Sequence, residues 1–153
     1  MTRANKMITL TDSIEIKTTP EKIFDWFVHF EKNFKAWHPD HVECRWLKGE
    51  QFEEGSILYV EEYLHGKSHK IKFLGTKVEP HKKIEYTLLF PTSIILPKGS
   101  FLIEPKGESC IFTATLSFRF GKILSKLVKS RVEATKKHMR EEGDNLKKLL
   151  EQG

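Results

Sequence analysis

Near the end of the chain, the segment "KKHMREEGDNLKKLL" (Lys136 to Leu150) sets His138 and Glu142 four residues apart. On a helix that spacing stacks an imidazole and a carboxylate one turn apart, so both can reach a common point. At 100° per residue, Leu124, Leu127, Arg131, Ala134, Glu142, Asn145 and Leu149 fall within about 40° of His138. Lys126, Lys129, Lys136, Lys147 and Glu151 fall largely on other sides. The apolar stripe therefore passes through His138 and Glu142 and turns both toward the interior. A carboxylate buried there is costly unless a cation, a metal or a proton compensates it. The plainer alternative is a His–Glu contact on a half-exposed helix.

Partners for such a site lie upstream. "AWHPDH" supplies His38 and His41, and "YVEEYL" supplies Glu61 and Glu62 in mid-strand, where alternation sends one to each face. Leu58, Val60, Glu62 and Leu64 share the more core-like parity, so Glu62 is the better inward carboxylate. One upstream His with Glu62, His138 and Glu142 makes a set of two imidazoles and two carboxylates. That chemistry suits zinc or, less selectively, iron or manganese. Without a metal, "WHPDH" reads as a packing Trp37, a turn at Pro39 and a capping Asp40. Arg131, on the same helix face as His138, suits an enolate or carboxylate, or a salt bridge to Glu142 or a sheet carboxylate. Glu141, Glu61 and Tyr63 are the nearby candidate bases. His29, His65, His69 and His81 read as surface residues.

These residues need elements to hold them. "ITLTDSIEIKT" alternates as a half-buried first strand. Thr19 is an N-cap candidate and Pro20 suits the first helical position, so one or two short helices follow, with Ile23, Phe24, Phe27 and Phe34 on their apolar face. From Val42 to Phe120 the pattern is almost wholly strand, about six in a row with hairpin turns. Within it, "FPTSIILP" reads as a lid over a cavity mouth or as an edge strand. A final helix is predicted from Ile123 to Leu150. Consecutive strands favour an antiparallel sheet, and a long helix must cover one of its faces.

The chain has 153 residues, enough for one domain (1–153) with a real core. Its eleven phenylalanines and three tryptophans favour a roomy, ring-lined cavity over a flat two-layer sandwich. The net charge of +5 comes mostly from lysines spread along the whole chain, which argues against a nucleic-acid footprint. Cys44 and Cys110 have no CxxC spacing and imply neither a zinc ribbon nor a disulfide scaffold. With no membrane span and no apolar leader, a cytoplasmic protein is expected.

The plan of strand, short helices, six strands and long helix resembles the START-related superfamily (SRPBCC), with its helix-grip fold. That superfamily includes polyketide cyclases, aromatic-ring hydroxylase domains, plant pathogenesis-related proteins and lipid-transfer proteins. "TTPEKIFDWFVHFEKNFKAWHPD" resembles its usual opening, and the likeness covers nearly the whole chain. It implies an α+β fold: a curved antiparallel sheet of about seven strands wrapped around the long C-terminal helix, with two short helices after the first strand. It also implies a cavity for a small hydrophobic or aromatic ligand.

A narrower similarity, carried by "WHPDH", "EEYL" and "HMREE", is to the zinc-dependent diacetylphloroglucinol hydrolases. It implies zinc held by His41 (or His38), Glu62, His138 and Glu142. The metal polarises a ketone carbonyl while water cleaves a carbon–carbon bond. His41 is preferred, because the turn around His38 recurs in relatives that bind no metal. The chain departs from that branch in being shorter and in lacking matches for the residues that hold the phenolic substrate. The expectation is thus a metal-dependent hydrolase or lyase acting on a small hydrophobic carbonyl compound. A non-catalytic ligand or lipid carrier of the same fold is the alternative.

Overall fold

The structure is a computed structural model that describes residues 6–64, 66–120 and 126–152. The alternating first segment forms β1 (Lys6–Ile16). Thr19 then caps α1 (Pro20–Val28), its hydroxyl accepting from the Lys22 amide at 3.2 Å, and Pro20 occupies the position where a missing amide costs nothing. A second short helix, α2 (Phe30–Trp37), ends just before Pro39. Six strands follow: β2 (His41–Lys48), β3 (Ile57–Leu64), β4 (Lys67–Glu79), β5 (Lys83–Leu88), β6 (Lys98–Lys106) and β7 (Ser109–Phe120). The long helix α3 (Lys126–Glu151) completes the order.

All neighbouring strands pair antiparallel in the order β1-β7-β6-β5-β4-β3-β2. Hairpins join β2 to β7 in sequence, and β1 closes on β7. The predicted lid segment is neither strand nor open loop. It holds a single 3-10 turn, Thr92–Ile94, between β5 and β6, and its inner residues Pro91, Thr92, Ile95 and Leu96 wall the cavity.

The short helices plug one end of the curved sheet with aromatic rings. Phe27 is fully buried, stacks on Phe30 and Phe112 at 5.7 Å, and leans on Phe101 at 4.8 Å. Helix α3 lies along β1, with Gly143 against Asp12 and Ile14, Arg140 paired to Asp12 at 3.0 Å, and Glu151 accepting from the Lys17 amide at 2.8 Å. On its inner face Thr135, His138, Met139 and Leu146 are buried. Leu149, assigned to the same stripe by the wheel, is exposed, because the buried face at this end of the helix is centred on Leu146 and Leu150. Ile123, Leu124 and His65 lie outside the described residues. Cys44 and Cys110 are free thiols. No described helix is long and apolar enough to cross a membrane.

Between α3 and the concave sheet face remains a cavity of about 330 Å³. Its walls are mainly aromatic and aliphatic. Phe27 ties the plugging helices to the sheet, so Phe27→Ala should cost about 3–5 kcal/mol of stability. Urea denaturation followed by circular dichroism measures it.

Candidate metal centre

His41 opens β2 and is held more tightly than its exposed neighbours in that strand. Its ring lies parallel on Phe34 at 3.9 Å, and its Nδ1 is 2.8 Å from the Phe34 carbonyl. A carbonyl only accepts, so Nδ1 carries the proton and Nε2 turns its lone pair inward. Across the β2–β3 ladder His41 pairs with Glu62. Alternation from buried Leu58 and Val60 sends Glu62 into the cavity, where α3 presents His138 and Glu142.

The four side chains converge. His41 Nε2 lies 2.9 Å from Glu142 Oε2, 3.3 Å from His138 Nε2 and 3.4 Å from Glu62 Oε2. His138 Nε2 lies 3.0 Å from Glu142 Oε2 and 3.8 Å from Glu62 Oε2. Ligand atoms about 2.0–2.1 Å from a tetrahedral centre sit about 3.3–3.4 Å from one another, and these spacings straddle that value. Lone pairs of His41, Glu62 and Glu142 all face one buried point, and such a group needs positive charge.

The electrostatics say the same. Burial alone would push the His138 imidazole down, but the adjacent Glu142 carboxylate, with Glu62 behind it, holds it up at about 9. Burial pushes Glu142 up, yet the adjacent His138 imidazolium outweighs it and pulls the carboxyl down to about 2. Glu62 is raised, first by burial, with the charge of Glu142 adding to it against His138. Without a metal, one imidazolium proton shared at the centre carries the compensating charge.

The turn after α2 is braced against α3. Trp37 Nε1 donates to the Glu142 carbonyl at 2.9 Å, and Asn145 Nδ2 donates to the Trp37 carbonyl at 2.9 Å. His38 has both nitrogens engaged: Nδ1 accepts from the Asp40 amide, and Nε2 donates to Glu141 Oε1, each at 2.9 Å. Its ring lies 4.2 Å from that of His138. His38 therefore stands beside the four-residue cluster, and the structure brings His41 into it.

The other predicted residues divide. Glu141 is tied to His38, on the outer side of the pair, and does not line the cavity. Tyr63 is 50% exposed on the outward parity of β3, which Glu61 shares, and neither lines the cavity. Arg131 does line the cavity, but the expected salt bridge to Glu142 is not formed. Eleven residues separate the two along α3, about 16 Å of axial rise, beyond the reach of a guanidinium. His69 departs from the surface position expected of it. It faces the cavity opposite Glu62 in the β3–β4 ladder, with Nε2 3.3 Å from the Leu64 carbonyl. His29 and His81 are exposed.

Sequence reasoning passed over Tyr86. It alternates inward with Ile84 and Leu88 on β5, and its ring lies across Gly99, its partner on β6, where any Cβ would collide with the hydroxyl. Burial, and then the nearby carboxylates of Glu142 and Glu62, push its pKa up, so the phenol stays protonated and able to donate. The period-two pattern with a cross-strand glycine was the available signal.

A family model described as "Polyketide cyclase / dehydrase and lipid transport" matches residues 7–151. No curated protein sequence matches the chain. Among solved structures, a norcoclaurine synthase point mutant from Thalictrum flavum, bound to a transition-state analogue, superimposes with a TM-score of 0.78 at 14% identity, covering 97% of each chain. A START superfamily protein from Mycobacterium smegmatis gives 0.73 at 19% identity, covering 94% of this chain and 97% of the other. Major latex-like protein 151 from Panax ginseng gives 0.75 at 11% identity, again covering 94% and 97%. At these identities the likeness is one of fold.

Two predictions test the bracing of the site. Asn145→Ala removes the bond to Trp37 and should cost about 1 kcal/mol of stability. Gly99→Ala forces Tyr86 off its seat and should cost about 1–3 kcal/mol. Chemical denaturation of each variant measures both.

Proposed function

The chain belongs to the polyketide cyclase/dehydrase and lipid-transport family, and from that premise we propose that it is a metal-dependent hydrolase or lyase of a small hydrophobic carbonyl compound. The observation that carries this reading is the convergence of His41, Glu62, His138 and Glu142 at tetrahedral spacing, with the His41 tautomer fixed by Phe34. The similarity of "WHPDH", "EEYL" and "HMREE" to the diacetylphloroglucinol hydrolases points the same way.

The residues present fit a divalent transition metal, zinc foremost: two imidazoles, two carboxylates, and an outer partner for one imidazole. Such a metal, when bound, supplies Lewis acidity that polarises a carbonyl oxygen and makes water a stronger nucleophile near neutral pH. The chain's own residues do the rest. Glu62 and Glu142 balance the charge. Phe34 orients His41, and the Trp37–Asn145 brace holds α3 at its distance from β2. Leu58, Val60, Phe73 and Phe101 shape an apolar wall that selects a hydrophobic substrate and excludes bulk water. Tyr86, protonated beside the two carboxylates, is placed to donate to a substrate oxygen.

Metal analysis after exposure to zinc tests the reading. One zinc per chain is expected in the wild type and in His38→Ala, and loss of binding in His41→Ala, His138→Ala and Glu142→Ala. Turnover of an acyl-phenol and β-diketone panel should vanish on chelation and return with zinc. Wild-type protein that remains metal-free would overturn the reading. A metal-loaded protein inert across the panel would leave a ligand-binding protein with a metal in its cavity.

A further inference from the structure

The cavity is electrically two-ended. At its inner end lie the two carboxylates Glu62 and Glu142, the only acids lining it among the described residues. Two permanent cations, Arg131 and Lys67, also line it. Neither forms an ion pair among the described residues, and the charges that dominate at Glu62 and Glu142 are those of the cluster itself.

Their place follows from the two elements that carry them. Leu58 and Val60 of β3 share the main core cluster with Leu146 and Leu150 of α3. From that plugged end both elements run outward past the level of Glu62 and His138. Along β3 the chain reaches Leu64, paired with Lys67 at the hairpin. Along α3, read backwards, it reaches Arg131 about 10 Å beyond His138. Arg131 is half-buried and adjoins Val132, which packs, as does Leu96 from the segment after β5, against the cluster of Leu10, Phe118 and Met139. An arginine that lines an apolar cavity, with no carboxylate paired to it among the described residues, suits an anion.

We propose that the ligand of this cavity is an apolar organic acid. Its carboxylate is held by the Arg131 guanidinium, with Lys67 at the rim, and its hydrophobic body runs inward toward the four-residue cluster. The proposal rests on the cavity reading above and adds the charge of the substrate. It does not require the metal.

Calorimetric titration of decanoic acid and its uncharged methyl ester tests it, in wild-type, Arg131→Gln, Arg131→Lys and His138→Ala proteins, with chelator present throughout. The acid should bind wild type about tenfold or more tightly than the ester, a usual margin for a charge-assisted hydrogen bond. Arg131→Gln should erase that preference while leaving ester binding unchanged, Arg131→Lys should restore part of it, and His138→Ala should retain it. Equal binding of acid and ester to wild type overturns the anion seat and leaves the cavity reading standing. Binding of neither overturns both. Loss of zinc binding in the metal analysis, with the acid preference intact, would overturn the metal reading alone.

Discussion

Three buried lone pairs aimed at one point repel one another, and the fold around them makes sense as the means of holding them there. His41 cannot rotate away, because its other nitrogen is committed to Phe34 and its ring is clamped on the Phe34 ring. Glu62 cannot withdraw without reversing the parity of a strand whose neighbours Leu58 and Val60 are core. Glu142 and His138 ride on a helix that Trp37 and Asn145 pin to the turn before β2. The positive charge that relieves the repulsion is a proton on His138 in the metal-free protein, or a cation in the reading proposed here.

The same constraint orders the supporting residues. The WHPDH turn joins the helical plug to the sheet and places two histidines within three residues of each other. One of them reaches the centre. The other, with both nitrogens occupied by Asp40 and Glu141, lies against the ring of His138 and limits how that ring can tilt. Glu141 is then part of the scaffold, although its neighbour Glu142 is part of the centre. A helix separates adjacent residues by 100°, enough to give two identical side chains different work.

Periodicity carried most of the architecture. The six-strand run, the Thr19–Pro20 helix start and the long terminal helix each have local causes, in alternation, capping and the 3.6 repeat, and those causes survive in the folded chain. Errors came where a side chain's surroundings are non-local. His69 was assigned to the surface because hairpin tips are usually wet, yet its ladder partner is Glu62 and its strand curves over the cavity. Leu149 shares the angle of His138 on the wheel, but the core at that end takes Leu146 and Leu150 and leaves Leu149 outside. Tyr86 owes its place to Gly99 on the neighbouring strand, a pairing that neither local segment contains.

By itself the sequence determined which residues could share a face: His138 with Glu142 and Arg131 on the helix, and Glu62 with Val60 and Leu58 on the strand. Those relations depend only on repeat geometry, which any regular element obeys. The tertiary structure alone decided which upstream histidine meets them, because His38 and His41 differ by a turn whose direction is set by Trp37 and Asn145, a hundred residues apart in sequence. It alone opened the cavity that both Arg131 and Glu142 line, eleven positions apart along one helix. Distances across a fold come from packing, and packing is written in no single segment.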